Sequence, residues 1–141
     1  MRRATTDDIT ELLRLGEQWL NPLWNKEDKK KILHLELLFS TNHMVYVTEK
    51  EGKLVGFADI LFWYDWLTKK TRLLIQHMYV DESYRNQGIG TKLLQFILDI
   101  HKPDYSLVDT KPEKFPLAEN LYKELGFKYN PNRLWLEMYA D

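Results

Sequence analysis

The chain has 141 residues, a formal net charge of −1 at neutral pH, 44% hydrophobic and 29% charged residues, and no cysteine. That length suits a single domain, 1–141, with a real core, while the near-zero charge excludes a general nucleic-acid binder, which carries a basic excess. The missing cysteines exclude disulfides, a thiolate nucleophile and a cysteine-ligated metal site.

MRRATTDD lacks the apolar core of a signal peptide, and no stretch is apolar for long enough to span a bilayer, so a cytoplasmic protein with no membrane partner is expected. Met1–Ala4 suits a short strand. Thr5-Thr6-Asp7-Asp8 then starts a helix, with a capping hydroxyl and acids in its first turn. Ile9, Leu12, Leu13 and Leu20 form its apolar stripe, and Asn21-Pro22 stops it. Asn25-Lys26-Glu27-Asp28 opens a second helix whose inner face is Ile32, Leu35 and Leu38, with Lys29-Lys30-Lys31 on a solvated face.

Met44–Glu49 alternates like a strand, Lys50-Glu51-Gly52 turns, and Lys53–Tyr64 returns as a second strand. Asp65–Lys70 loops back into Leu73–Val80, which completes an antiparallel meander. A helix follows over Thr91–His101, with Leu93, Leu94, Ile97 and Leu98 at helical spacing. Pro103 and Asp104 break the chain before a short strand at Tyr105–Val108. Phe115-Pro116 precedes a helix carrying Leu117, Leu121 and Leu125, which Gly126 ends at the left-handed position. Phe127–Tyr129 and Leu134–Tyr139 read as a terminal hairpin. The class is α/β, with a mixed, mainly antiparallel sheet flanked by helices.

Chemistry concentrates between the third long strand and the helix after it, in Arg85-Asn86-Gln87-Gly88-Ile89-Gly90. Backbone N–H groups at such a junction converge on an anion, and the helix start adds its positive dipole end. The glycines let the main chain approach a phosphate, and Arg85 adds a permanent charge with forked donors. GxGxxG would need a third glycine, and the nucleotide loop would need GK[ST] where this chain has Gly90-Thr91-Lys92. A pyrophosphate is the natural ligand.

The pattern V-x-x-x-Y-R-x-x-G-x-G resembles the acetyl-CoA signature of the GNAT acetyltransferase superfamily. Ala118-Glu119-Asn120-Leu121-Tyr122-Lys123-Glu124-Leu125-Gly126-Phe127 is similar to that family's A-x-x-x-Y-x-x-x-G-F ending, in the family's order and at a family-like separation. The resemblance implies the GNAT fold and acetyl transfer from acetyl-CoA to an amine. It places coenzyme A on Arg85, Asn86, Gln87, Gly88, Ile89, Gly90 and Thr91, and the pantetheine along Met78, Tyr79 and Val80. The asparagine usual three positions before the motif's alanine is Phe115 here. VGFADILFWYDWLTKKTRLLIQHMYVDESYRNQGIG further resembles the diamine acetyltransferase branch, which implies a small-molecule amine acceptor and a homodimer.

An alkylamine near pKa 10.4 must lose a proton before it attacks, and a departing thiolate must gain one. The resemblance gives the second task to Tyr122, whose alternative is packing beneath the coenzyme. It gives oxyanion stabilisation to a main-chain N–H in Gln76–Val80. The diamine branch carries a Glu-Asp pair where this chain has Gln76 and His77. Gln76 cannot act as a base. His77 can, or else is a hydrogen-bonded strand histidine. Asp59, inside an apolar strand, is a substrate contact, a second candidate base or a paired structural carboxylate. Trp63, Tyr64, Asp65 and Trp66, with Trp24 nearby, could hold a cationic amine by charge and cation–π attraction, or be core. His34, His43 and His101 stand isolated, and no metal site is expected. A small polyamine-like or amino-acid-like amine is the expected acceptor, with a protein lysine or N-terminal amine as the alternative, and the rival to an enzyme is a noncatalytic acyl-CoA-binding module.

Overall fold

The computed structural model describes residues 1–20, 26–108, 116–131, 136 and 138–140. It falls into two compact units, Met1–Asp109 and Thr110–Asp141.

The first unit is a five-stranded sheet in the order β1-β2-β3-β4-β5. Its strands are β1 (Arg2–Arg3), β2 (His43–Lys50), β3 (Lys53–Asp65), β4 (Lys70–Val80) and β5 (Tyr105–Val108). The first four pair antiparallel, and β5 joins β4 in parallel from Arg72↔Tyr105 to Ile75↔Val108. The meander follows from its turn. Glu51 and Gly52 both take positive φ, 54° and 74°, which gives a two-residue loop whose twist matches that of the strands it joins.

Helices α1 (Ile9–Leu20) and α2 (Lys26–Phe39) cover one face, and α3 (Ile89–His101) covers the other. Side chains alternate along a strand, so β2 serves both layers. Val45 and Val47 pack with Leu12 and Leu15 of α1 and with Leu33 and Leu37 of α2. Tyr46 meets Phe96 edge-on across the other face and hydrogen-bonds His101 at 2.7 Å. The inner face of α2 is therefore Leu33 and Leu37, not the expected Ile32 and Leu38, which are more than half exposed. The side chain of Leu35 lies outside the described residues. The entry to α1 is a short 3-10 turn, Thr6–Asp8, closed by a capping box between Thr5 and Asp8. Arg2 holds the same Asp8 carboxylate through two bonds, at 2.7 and 2.8 Å.

The second unit contains α4 (Pro116–Glu124). Gly126, at φ 95°, ends it: its N–H reaches Lys123 O at 3.0 Å, and the Phe127 N–H reaches Tyr122 O at 3.0 Å. That pair of bonds is the Schellman arrangement, and the Phe127 ring closes it by packing edge-on against Tyr122 at 5.7 Å. Phe127–Tyr129 is not the expected strand, because the Phe127 amide is already used in the helix cap. Of the hairpin's other half, 132–135 and 137 lie outside the described residues.

Candidate active site

The strand–loop–helix junction is built from backbone conformations that few side chains tolerate. Asn86 has φ 63°, and Gly88, the N-cap of α3, has φ 74° and ψ 13°. The helix starts at Ile89, two residues before the expected Thr91, so Ile89 and Gly90 already belong to it. The N–H groups of Ile89, Gly90 and Thr91 precede the first backbone bond of the helix, Lys92 N–H to Gly88 O at 3.0 Å, and lie outside its ladder.

A Cβ at Gly88 would meet nothing nearer than Lys92 Cε at 4.0 Å, so the space over this turn is open. Open space, amides outside the helix ladder and a helix N-terminus fit a pyrophosphate. Arg85 is exposed, donates from Nε to Val80 O at 3.2 Å and lies 5.3 Å over the Tyr79 ring. Lys50, from the β2–β3 hairpin, donates to Gln87 Oε1 at 3.2 Å and adds a cation that sequence reading missed. Gly56 was also missed. A Cβ there would lie 3.3 Å from Ile89 Cγ2 and 3.4 Å from Tyr79 O, so its absence lets the first turn of α3 close on β3.

Asp81 anchors the base of the loop. It is 2% exposed and accepts from Ser83 N–H and from Arg14 Nη1, each at 3.0 Å. Burial pushes its carboxyl up, but the Ser83 N–H and the Arg14 guanidinium outweigh that and hold it below the ordinary range.

Upstream on β4, a bulge decides where side chains point. Asp59 pairs with His77 and Ile60 with Ile75, so Gln76 is the extra residue. Ile75 faces α3 with Ile60, and the bulge turns His77 and Tyr79 to the opposite face, beside Phe57 and Trp19. Trp19 stacks on Tyr79 and meets the His77 ring edge-on, both at 5.7 Å. The Tyr79 hydroxyl donates to Gln18 Oε1 at 2.6 Å. Met78 faces the α3 side opposite Ala58, and Gln76 is exposed. Pairing with β5 ends at Ile75↔Val108, so Gln76–Val80 has no β5 partner among the described residues.

His77 Nδ1 is 2.9 Å from Asp59 Oδ2, and the other Asp59 oxygen hydrogen-bonds His43 Nε2. His43 Nδ1 in turn lies 2.7 Å from Glu36 Oε2. The expectation that His43 and His101 stand isolated is therefore corrected: strand alternation puts His43 on the Asp59 face, and His101 is bonded to Tyr46. Asp59 raises His43 to about 9, against the opposing effect of burial. Burial pushes the Asp59 carboxyl up, but its bonds to His43 and His77 hold it below the ordinary range. Among the described residues no cluster of His, Cys, Asp or Glu is arranged to hold a metal.

The aromatic segment is less committed to a ligand. Asp65 is 3.0 Å from Arg72 Nη2 and accepts from the N–H groups of Leu67 and Thr68 at 3.0 and 3.4 Å, a turn anchor. Trp63 is half-buried opposite Arg72, while Tyr64 and Trp66 are exposed. Trp24 and Phe115 lie outside the described residues. In the second unit Tyr122 is 7% exposed, and burial pushes its phenol up to about 12.

The sequence pattern of the acetyltransferase (GNAT) family matches residues 7–127. Among relatives, human N-acetyltransferase 8 is 34% identical over 86 residues, 59% of this chain and 37% of that protein. The N-alpha-acetyltransferase of Sulfurisphaera tokodaii is 29% identical over 142 residues, 91% of this chain and 79% of that protein. The spermine/spermidine N(1)-acetyltransferase of Bacillus subtilis is 32% identical over 88 residues, 57% of this chain and 56% of that protein. An aminoglycoside N-acetyltransferase in complex with CoA shares the fold, with a TM-score of 0.81 at 17% identity over 99% of this chain and 93% of that one. The chain thus spans little more than a third of human N-acetyltransferase 8.

Proposed function

Because this chain belongs to the acetyltransferase (GNAT) family, whose acetyl donor is acetyl-CoA, we propose that it acetylates the primary amine of a small molecule, polyamine-like or amino-acid-like. The observation that carries this reading is the placement on one strand, β4, of a half-exposed imidazole bonded to a carboxylate, running directly into a glycine-built anion cradle. The Arg85–Thr91 backbone and the Arg85 side chain would hold the pyrophosphate. Met78, Tyr79 and Val80 would line the pantetheine. The bound coenzyme supplies an activated thioester carbonyl.

The chain's own residues do the rest. His77 takes a proton from the acceptor at Nε2. Main-chain N–H groups on the Gln76–Val80 edge, which has no β5 partner among the described residues, would meet a carbonyl oxygen. Tyr122 keeps a donatable proton at Oη, since its phenol stays neutral up to about pH 12. Trp63 offers an aromatic face to a cationic acceptor, with Gln76 as a further polar contact. Tyr64 alternates to the opposite face of β3, and Asp65 is already engaged by Arg72 and the turn amides. The spermine/spermidine relative supports a small cationic acceptor. Homodimeric assembly is carried over from the resemblance and is tested by light scattering.

A second reading has its own support. The N-alpha-acetyltransferase relative is matched over most of both chains, which favours a protein N-terminal amine as acceptor. The two are separated by assaying thiol release from acetyl-CoA with polyamines, amino acids, aminoglycosides and short peptides. The first reading expects a small amine to exceed peptides in kcat/KM by about tenfold or more. Preference for peptides would install the second, and no release with any amine would leave an acyl-CoA-binding module.

A further inference from the structure

A hydrogen-bonded row of four titratable side chains crosses the α1–α2 face of the sheet, and two of the four, Glu36 and His43, were absent from the expected site. It runs from Glu36 on α2 to His43 on β2, Asp59 on β3 and His77 on β4. Both carboxylate oxygens of Asp59 are taken by imidazole nitrogens. The Asp59 side chain is 16% exposed and the His77 side chain 53%. His77 is therefore tied at Nδ1 on its inner side, while Nε2 has no hydrogen-bond partner among the described residues.

We propose that Asp59, His43 and Glu36 are positioning residues that hold His77 as its Nδ1–H tautomer, with Nε2 presented to an alkylammonium acceptor. This rests on the reading of His77 as the base. In the step it serves, an N–H bond of the ammonium breaks and an Nε2–H bond forms on His77. The electron pair of the broken bond stays on nitrogen, leaving the neutral amine. The positive charge passes to the imidazole ring beside Asp59, and the proton leaves from the half-exposed ring to water.

His43 has a distinct task. With Asp59 on one side and Glu36 on the other, it keeps protons on both ring nitrogens at neutral pH and cannot itself accept one. It holds Asp59 against the sheet. A released Asp59 could turn to the acceptor ammonium and stabilise the charged form that cannot attack. Among the described residues, the titratable groups that hydrogen-bond the row are its own members: Glu36 from α2 and Asp59 from β3 bond His43, and Asp59 bonds His77, with the Tyr79 phenol on the same face of β4 and bonded to Gln18. Helix α1 contributes Trp19, which does not titrate, against the His77 ring.

Ring-nitrogen NMR on the ligand-free 141-residue chain tests the geometry apart from activity. The expected result is an Nδ1–H tautomer for His77 and a His43 ring that loses its proton near pH 9. In Asp59→Asn the His43 midpoint should fall toward the ordinary 6.5, and His77 should populate both tautomers. The same variant should lose about 10²-fold in kcat with KM for acetyl-CoA unchanged. His43→Gln, which keeps an N–H donor to Asp59, should retain more kcat than His43→Leu. An Nε2–H tautomer in the parent would overturn the proposal, as would parental kcat in Asp59→Asn. Inactivity of the parent on every amine would defeat the functional reading, and this proposal with it. An active parent with an indifferent Asp59→Asn would defeat this proposal alone.

Discussion

His77 owes its place to its neighbour. Had Gln76 been paired normally, strand alternation would have sent His77 to the α3 face, away from Asp59, and Tyr79 with it. The sequence made His77 a candidate base by alignment with a family position, but not its face, because Gln76 looks like any polar strand residue. His43 was passed over for a related reason: its partners come from α2 and β3 and share no local spacing with it. Tyr122 is proposed from its motif alone, and its burial sharpens the expectation. With its phenol pushed up to about 12, no alkaline loss of activity should trace to Tyr122 below about pH 11. Tyr122→Phe should lower kcat by about 10²–10⁴-fold, with acetyl-CoA affinity unchanged by calorimetry. Equal turnover by the two forms would demote Tyr122 to packing.

At the scale of elements, a glycine at positive φ opens α3 and another closes α4. Gly126 lets α4 end in a Schellman turn, which brings Phe127 onto the Tyr122 ring. Gly126→Ala, forced to φ 95°, should lose about 1–2 kcal/mol by urea titration, and an unchanged midpoint would contradict the assignment. Gly88 behaves differently. A Cβ there meets only Lys92 Cε, at 4.0 Å, so the first cost of a side chain in the folded protein is backbone strain at φ 74°. A folded Gly88→Val variant should therefore lose acetyl-CoA affinity sharply, and unchanged binding by calorimetry would remove the cradle from this loop.

Strand positions were readable because turn residues bracket alternating runs. The inner face of α2 was not, since Ile32, Leu33, Leu35, Leu37 and Leu38 offer several apolar stripes and only packing selects among them.

For the whole molecule, the His43–Asp59 pair ties stability to pH in both directions. His43 is raised to about 9 from 6.5, so its contribution is complete below about pH 6.5 and is lost as pH rises through about 9. Asp59, like Asp8 and Asp81, is lowered from 3.8, so its contribution is present above that value and lost as pH falls below it. The denaturation midpoint should thus be highest between these limits and decline toward pH 9, and His43→Gln should flatten the alkaline decline. A parental midpoint constant from pH 6.5 to 9 would contradict the pairing.

Transfer of an acetyl group onto an amine nitrogen at the β4 site is checked by following that group. The protein would be mixed with acetyl-CoA carrying an isotopic label in the acetyl group and with the best small amine of the panel, and the label traced by mass spectrometry. Label should reach the amine nitrogen in step with free coenzyme A, and that transfer should be lost in His77→Gln. Label that stays on the coenzyme, or is released as acetate with the amine unmodified, would contradict it.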